Sequence, residues 1–144
     1  MTVASILKHK GAHVETVQPA ATVQQVCTTL AQKRIGATVV VGPGGNVVGV
    51  VSERDVVNAL AQQGPGALNR SIDEIMTRNV ATCQLTDTSE ALMEMMTRGR
   101  FRHVPVVEGG RLVGIISIGD VVKRRIEDSE LERHAMRDYI AQAG

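Results

Sequence analysis

The chain has no tryptophan, one phenylalanine (Phe101) and one tyrosine (Tyr139) among its 144 residues. Its core must therefore be filled by Val, Ile, Leu, Met and Ala, and aromatic platforms on which single-stranded nucleic acid could stack are missing. Cysteine is scarce too. Cys27 and Cys83 show no CxxC spacing, which argues against a disulfide framework or a cysteine zinc site and leaves them as small reduced core residues. No sign of charge dominates: 16 Lys and Arg stand against 15 Asp and Glu, a formal net charge of +1, so no global field gathers nucleic acid or an anionic membrane. No run of about 20 apolar residues occurs, and the opening Met1-Thr2-Val3-Ala4-Ser5-Ile6-Leu7 passes straight into polar residues, so neither a membrane span nor an export signal is expected and the location reads as cytoplasmic.

What is present is a core-forming composition, 43% hydrophobic and 22% charged, suited to one soluble globular unit. That unit is internally repeated. Gly49-Val50-Val51-Ser52 followed by Asp55-Val56-Val57 returns 65 positions on (49 to 114) as Gly114-Ile115-Ile116-Ser117 followed by Asp120-Val121-Val122. Val39-Val40-Val41 matches Pro105-Val106-Val107 at 66 positions (41 to 107), and Val3-Ala4-Ser5-Ile6-Leu7 matches Ile72-Asp73-Glu74-Ile75-Met76 at 69 (6 to 75), which puts three extra residues around Lys8-His9-Lys10-Gly11 in the first copy.

Within each copy the hydrophobic period switches from alternation at Val14-Glu15-Thr16-Val17, a strand, to helical spacing after Thr22 or Thr88, which are helix-start residues. Two valine-rich strands follow, joined by Gly42-Pro43-Gly44-Gly45 or by Glu108-Gly109-Gly110, and a last helix starts at Ser52 or Ser117. Each copy is thus β-α-β-β-α, an α+β (α/β) fold. We assign residues 1–63 to the first repeat and 64–71, rich in helix breakers, to a linker. Residues 72–128 form the second repeat, and 129–144 a C-terminal amphipathic helix carrying Leu131, Ala135 and Tyr139.

The element most suggestive of chemistry is Gly-apolar-apolar-Ser-x-x-Asp, present twice at a strand-to-helix junction. A serine hydroxyl beside free N–H groups suits an anion or hydroxyl, and a carboxylate three residues on can accept from a ribose diol. The same spacing also makes a capping box with no ligand at all, and the residues alone do not choose between the two. Gly42-Pro43-Gly44 has Val47 where a dinucleotide fingerprint needs glycine, and no phosphate-loop Gly-Lys-Ser/Thr exists. His9 and His13 flank Gly11 without a carboxylate motif, so no metal site is read from them, and no nucleophile is matched with a base. An enzyme is therefore not expected. The cluster Arg98, Arg100, Arg102 and His103 could form a nucleic-acid patch, thin without aromatic partners.

Four stretches taken together resemble the CBS-domain family: Gly36-Ala37-Thr38-Val39-Val40-Val41 with Gly49-Val50-Val51-Ser52-Glu53-Arg54-Asp55, and Arg102-His103-Val104-Pro105-Val106-Val107 with Gly114-Ile115-Ile116-Ser117-Ile118-Gly119-Asp120. The resemblance covers nearly the whole chain and implies a stand-alone tandem pair, or Bateman module, packed about a pseudo-twofold axis, with two clefts for AMP, ADP, ATP, NAD or S-adenosylmethionine. It further implies that Asp55 and Asp120 hold ribose hydroxyls, with Ser52 and Ser117 near ribose or phosphate. Arg102 and His103, which align with Gly36 and Ala37, would oppose phosphate, as would Arg54 in the first copy. Apolar and backbone walls would come from Val14, Thr16, Gly36, Ala37, Val39, Thr82, Val104, Pro105 and Ile115. Because only the second copy brings cations to that position, the cleft containing Asp120 is expected to be the stronger one. The resemblance also implies a regulatory, adenylate-sensing role, a homodimer, and a regulated protein partner that the sequence does not identify. A ligand-free interaction scaffold is the alternative, and its mark would be loss of Asp55 and Asp120.

Overall fold

The computed structural model describes residues 1–143, and it has the mixed α+β architecture of two paired repeats followed by a C-terminal helix. The first copy comprises α1 (Val3–Lys10), β1 (Thr16–Val17), α2 (Val23–Lys33), β2 (Ala37–Val41), β3 (Val47–Ser52) and α3 (Glu53–Gln63). Two 3-10 turns, Gly64–Asn69 and Ile72–Glu74, lead to α4 (Ser89–Gly99), β4 (His103–Glu108), β5 (Arg111–Ser117) and α5 (Ile118–Ala143).

Local chemistry explains most of these boundaries. Thr22 caps α2 by accepting from the Gln25 N–H while the Gln25 side chain accepts from the Thr22 N–H, a complete capping box. Thr88 accepts from the Ala91 N–H at the start of α4. The β4–β5 hairpin closes through Gly109 and Gly110, both at positive φ (58° and 79°), as a two-residue turn matched to strand twist requires. β1 runs parallel to β2, which pairs antiparallel with β3. The second copy lacks a regular counterpart of β1; only Cys83 forms a parallel bridge to Val106 beside the β4–β5 pair.

One feature departs from the expected layout. The terminal helix expected over 129–144 is the unbroken continuation of α5, because Glu127-Asp128-Ser129 contains no helix breaker and Arg124 reaches both Glu127 and Asp128 at 3.7 and 3.6 Å along the same helix. Gly144 lies outside the described residues. In the segment 64–71, Gly64 ends α3 at φ 69° and Ala67 is fully buried in the first 3-10 turn.

The two copies complete each other's cores. Val3, Ile6 and Leu7, at the front of the first copy, pack with Leu92, Met96, Val104, Val106, Ile116 and Val121 of the second. Ile72 and Met76, at the front of the second, pack with Val23, Val26, Leu30, Val40, Val51 and Val56 of the first. Backbone hydrogen bonds repeat the exchange: Val3 N–H donates to Asp87 O (2.8 Å), and Ile72 N–H donates to Ala21 O (2.7 Å). Val3 and Ile72 are both at 0% exposure, and burying such a side chain stabilises by about 1.5–3 kcal/mol. The fronts are thus shared between copies rather than kept within them, and this exchange fixes how the clefts are built.

Candidate functional site

At the end of β3 the extended backbone of Ser52 leads into α3, and its hydroxyl accepts from the Asp55 N–H (3.4 Å). Asp55 Oδ2 reaches back to accept from the Ser52 N–H (2.8 Å) and hydroxyl (3.1 Å). The second copy repeats this: Ser117 N–H donates to Asp120 Oδ2 (2.8 Å), and the Asp120 N–H donates to Ser117 Oγ (3.1 Å). Both motifs are therefore capping boxes, but each carboxylate also has a partner from the front segment of the other copy. Thr77 Oγ1 donates to Asp55 Oδ1 (3.3 Å), whereas Lys10 Nζ pairs with Asp120 Oδ2 (2.5 Å).

The two glycines that open the motifs allow these fronts to approach. A Cβ on Gly49 would stand 2.6 Å from Met76 Sδ and 3.0 Å from the Thr77 carbonyl oxygen; one on Gly114 would stand 2.7 Å from Leu7 Cδ1. Val50 and Thr77 then exchange two backbone hydrogen bonds, 3.0 and 2.9 Å, which hold Thr77 over Asp55.

Beside Asp55 lies a cavity of about 590 Å3. Val50, Ser52, Glu53, Arg54 and Asp55 line it from the β3–α3 junction, Thr77, Asn79, Val80 and Ala81 from the second front, and Gly36 together with Gly99, Arg100, Phe101, Arg102 and His103 from the entries to β2 and β4. Arg102 and His103 thus line the cleft of Asp55 as well as adjoining the β5–α5 junction that carries Asp120, where His103 pairs with Ser117 and the Arg102 carbonyl oxygen accepts from the Ile118 N–H (2.8 Å). The pairing of the copies is the reason, since it brings the start of β4 across to the β3–α3 junction of the first copy. Gly36 belongs to the same closure: a Cβ there would lie 3.2 Å from His103 Nε2.

Of the other expected wall residues, Ala37, Val39, Val104 and Pro105 are buried in the strands, and Val14, Thr16, Ala37, Thr82, Val104, Pro105 and Ile115 are absent from this lining. Asn79, Val80 and Ala81 stand immediately before the expected Thr82, and Arg100 comes from the cluster considered above as a nucleic-acid patch. A wider groove of about 650 Å3 on α2, lined by Gln18, Gln24, Gln25, Thr28 and Thr29 among others, has no charged side chain and offers neither cation nor carboxylate to orient an ionic ligand.

Electrostatics separate the two halves. Burial disfavours the charge on His103, as do the nearby Lys10 and Arg102 charges, and these outweigh Asp120 and Glu53, so its pKa lies below 6.5. The unfolded chain then binds this proton more readily, and the stability held above pH 6.5 is lost as pH falls from that value toward the lower folded one. In urea titrations the wild type should lose stability through this window and His103→Gln should lose less; equal slopes would contradict it. Burial opposes ionisation of Asp120, but hydrogen bonds from Lys10 and the Ser117 N–H, with the Lys10 charge, prevail and hold it below its ordinary 3.8. Burial pushes the Cys83 thiol up to about 12, which keeps it an unreactive core residue.

Among the described residues no helix is long and apolar enough to cross a membrane. The chain is similar to the CBS-domain containing protein ATU1752 from Agrobacterium tumefaciens, with 51% identity and a TM-score of 0.84 over 86% of this chain and 92% of that one. It also resembles the CBS domain protein PAE2072 from Pyrobaculum aerophilum, whose structure is complexed with AMP, at 32% identity and a TM-score of 0.75 over 83% and 89% of the two chains. CBSX3 of Arabidopsis thaliana, a protein named as mitochondrial, is 32% identical over 123 residues, which are 83% of this chain and 60% of that protein's length. The family model of the CBS domain matches twice, at residues 3–62 and 72–127, and the chain therefore belongs to the CBS-domain family as a tandem pair of its domains.

Proposed function

We propose that this pair is a regulatory module that binds an adenosine-containing nucleotide of the AMP, ATP or NAD class in the Asp55 cavity. The observation that carries the reading is the meeting of Ser52 and Asp55 with Arg54, Arg100, Arg102 and His103 around one cavity. A carboxylate suits a ribose diol, and planar guanidinium groups suit phosphate. The AMP bound to the Pyrobaculum relative supports the same ligand class. Three arginines against Glu53 and Asp55 favour a phosphorylated ligand over S-adenosylmethionine, whose sulfonium is itself a cation.

Because the cavity is walled by both copies, a bound nucleotide stabilises one packing of the copies over others, and this difference is what a partner can read. The proposed partners are a second copy of this chain and a regulated protein. Val57 and Val122, equivalent positions of the two copies, are 62% and 41% exposed, and Ile126, Leu131, Met136, Tyr139 and Ile140 continue the apolar surface along α5, which suits self-association. The location proposed for this module is the cytoplasm.

Thermal unfolding against AMP, ADP, ATP, NAD and S-adenosylmethionine tests the reading. A ligand at about 100 times its dissociation constant adds about 2.7 kcal/mol, or several degrees in midpoint at roughly 2–4 °C per kcal/mol. A rise with the phosphorylated compounds is expected; no rise with any compound would favour the scaffold alternative.

A further inference from the structure

The two clefts are built from equivalent residues, yet the second contains a side chain that the first does not. In the first, Thr77 supplies a neutral hydroxyl to Asp55 and its backbone N–H to the Val50 carbonyl oxygen. In the second, the equivalents are Asp120 and Ile115, and Lys10 Nζ takes both, donating to the Ile115 carbonyl oxygen (2.7 Å) and pairing with Asp120. The three extra residues in the first front make this possible: α1 extends to Lys10, whereas its counterpart is the short turn Ile72–Glu74. Gly11, at φ 102°, ends α1 with its N–H on the Leu7 carbonyl oxygen (2.7 Å) and leaves Lys10 over the β5–α5 junction. The Lys10 and Asp120 side chains are only 28% and 24% exposed.

We infer that Lys10 is an internal latch that closes the Asp120 cleft as a second adenosine site, so that the pair takes one nucleotide per chain. The inference rests on the function proposed above. A ribose diol seeking Asp120 has to displace an ammonium already paired with the carboxylate, and the Ile115 carbonyl then loses its donor. Charge-assisted hydrogen bonds of this kind correspond to a roughly 10- to 100-fold loss of affinity. The cations at the start of β4, Arg102 and His103, line the Asp55 cavity, and their counterparts in the first copy are the uncharged Gly36 and Ala37. Adenosine, which needs no phosphate partner, therefore isolates the effect of Lys10 on this cleft.

Calorimetric titration of the wild type with AMP, and of the wild type, Lys10→Met and Lys10→Gln with adenosine, tests this. Unfolding curves confirm that each variant is folded. One equivalent of AMP and one of adenosine are expected for the wild type, two of adenosine for either Lys10 variant, and one again for Lys10→Met combined with Asp120→Ala. Two equivalents on the wild type, or one still on both Lys10 variants, would overturn the latch while leaving the Asp55 site standing. No AMP on the wild type but one adenosine on Lys10→Met, lost with Asp120→Ala, would overturn the Asp55 reading and keep the latch. No binding by any of the proteins would overturn both.

Discussion

Gly49→Val is expected to lower the unfolding free energy by about 3 kcal/mol, the upper end of what overpacking usually costs. The reason is geometric. A Cβ at this position meets Met76 Sδ and Cγ and the Thr77 carbonyl oxygen, and that carbonyl is already engaged by the Val50 N–H at 3.0 Å. Met76 can turn aside, but the backbone of Thr77 cannot move without breaking the contact that joins the two copies. At Gly114 the obstruction is the side chain of Leu7, so Gly114→Ala should cost less than Gly49→Ala. Urea unfolding of the three variants checks the order. Gly49→Val as stable as the wild type would mean that the second front is not seated where described.

Asp55→Ala is expected to weaken AMP binding by roughly 10- to 100-fold, the loss associated with hydrogen bonds to a charged acceptor. It should also cost about 1 kcal/mol of stability, because the carboxylate completes the α3 capping box and accepts from Thr77. Asp120→Ala separates the two effects. It removes the equivalent cap and the Lys10 pair but lies outside the cavity lining, so stability should fall while AMP affinity stays near that of the wild type. Calorimetry on the two variants reads this directly, and equal losses of affinity would count against a site at Asp55.

Much of the fold was legible in the sequence because it is decided locally. The glycine-rich hairpins, the threonine and serine helix starts and the valine strands all depend on residues within a few positions of one another, and the repeat offsets gave two copies. The partnership between the copies was less legible. Repeat matching assigns Val3–Leu7 to the copy that carries them, whereas these residues pack on the other one, and nothing in a local hydrophobic pattern records that exchange. That Arg102 and His103 also line the cavity of Asp55 follows from this exchange, which matching one copy to the other does not reveal. A signal was available. Gly49 and Gly114 interrupt strands otherwise filled by Val, Ile and Leu, as glycine does where another chain segment presses close. The three extra residues ending in Lys10-Gly11 marked the place where the clefts differ, but only the fold shows which carboxylate Lys10 meets.

The central claim is that AMP binds between the copies at Asp55. Amide shift mapping of labelled protein during an AMP titration tests it most directly. The expected result is saturable shifts concentrated at Gly36, Ser52 to Asp55, Thr77 to Ala81 and Arg100 to His103. Shifts centred instead on Lys10, Ile115 and Asp120, or no saturable shifts at millimolar AMP, would contradict it.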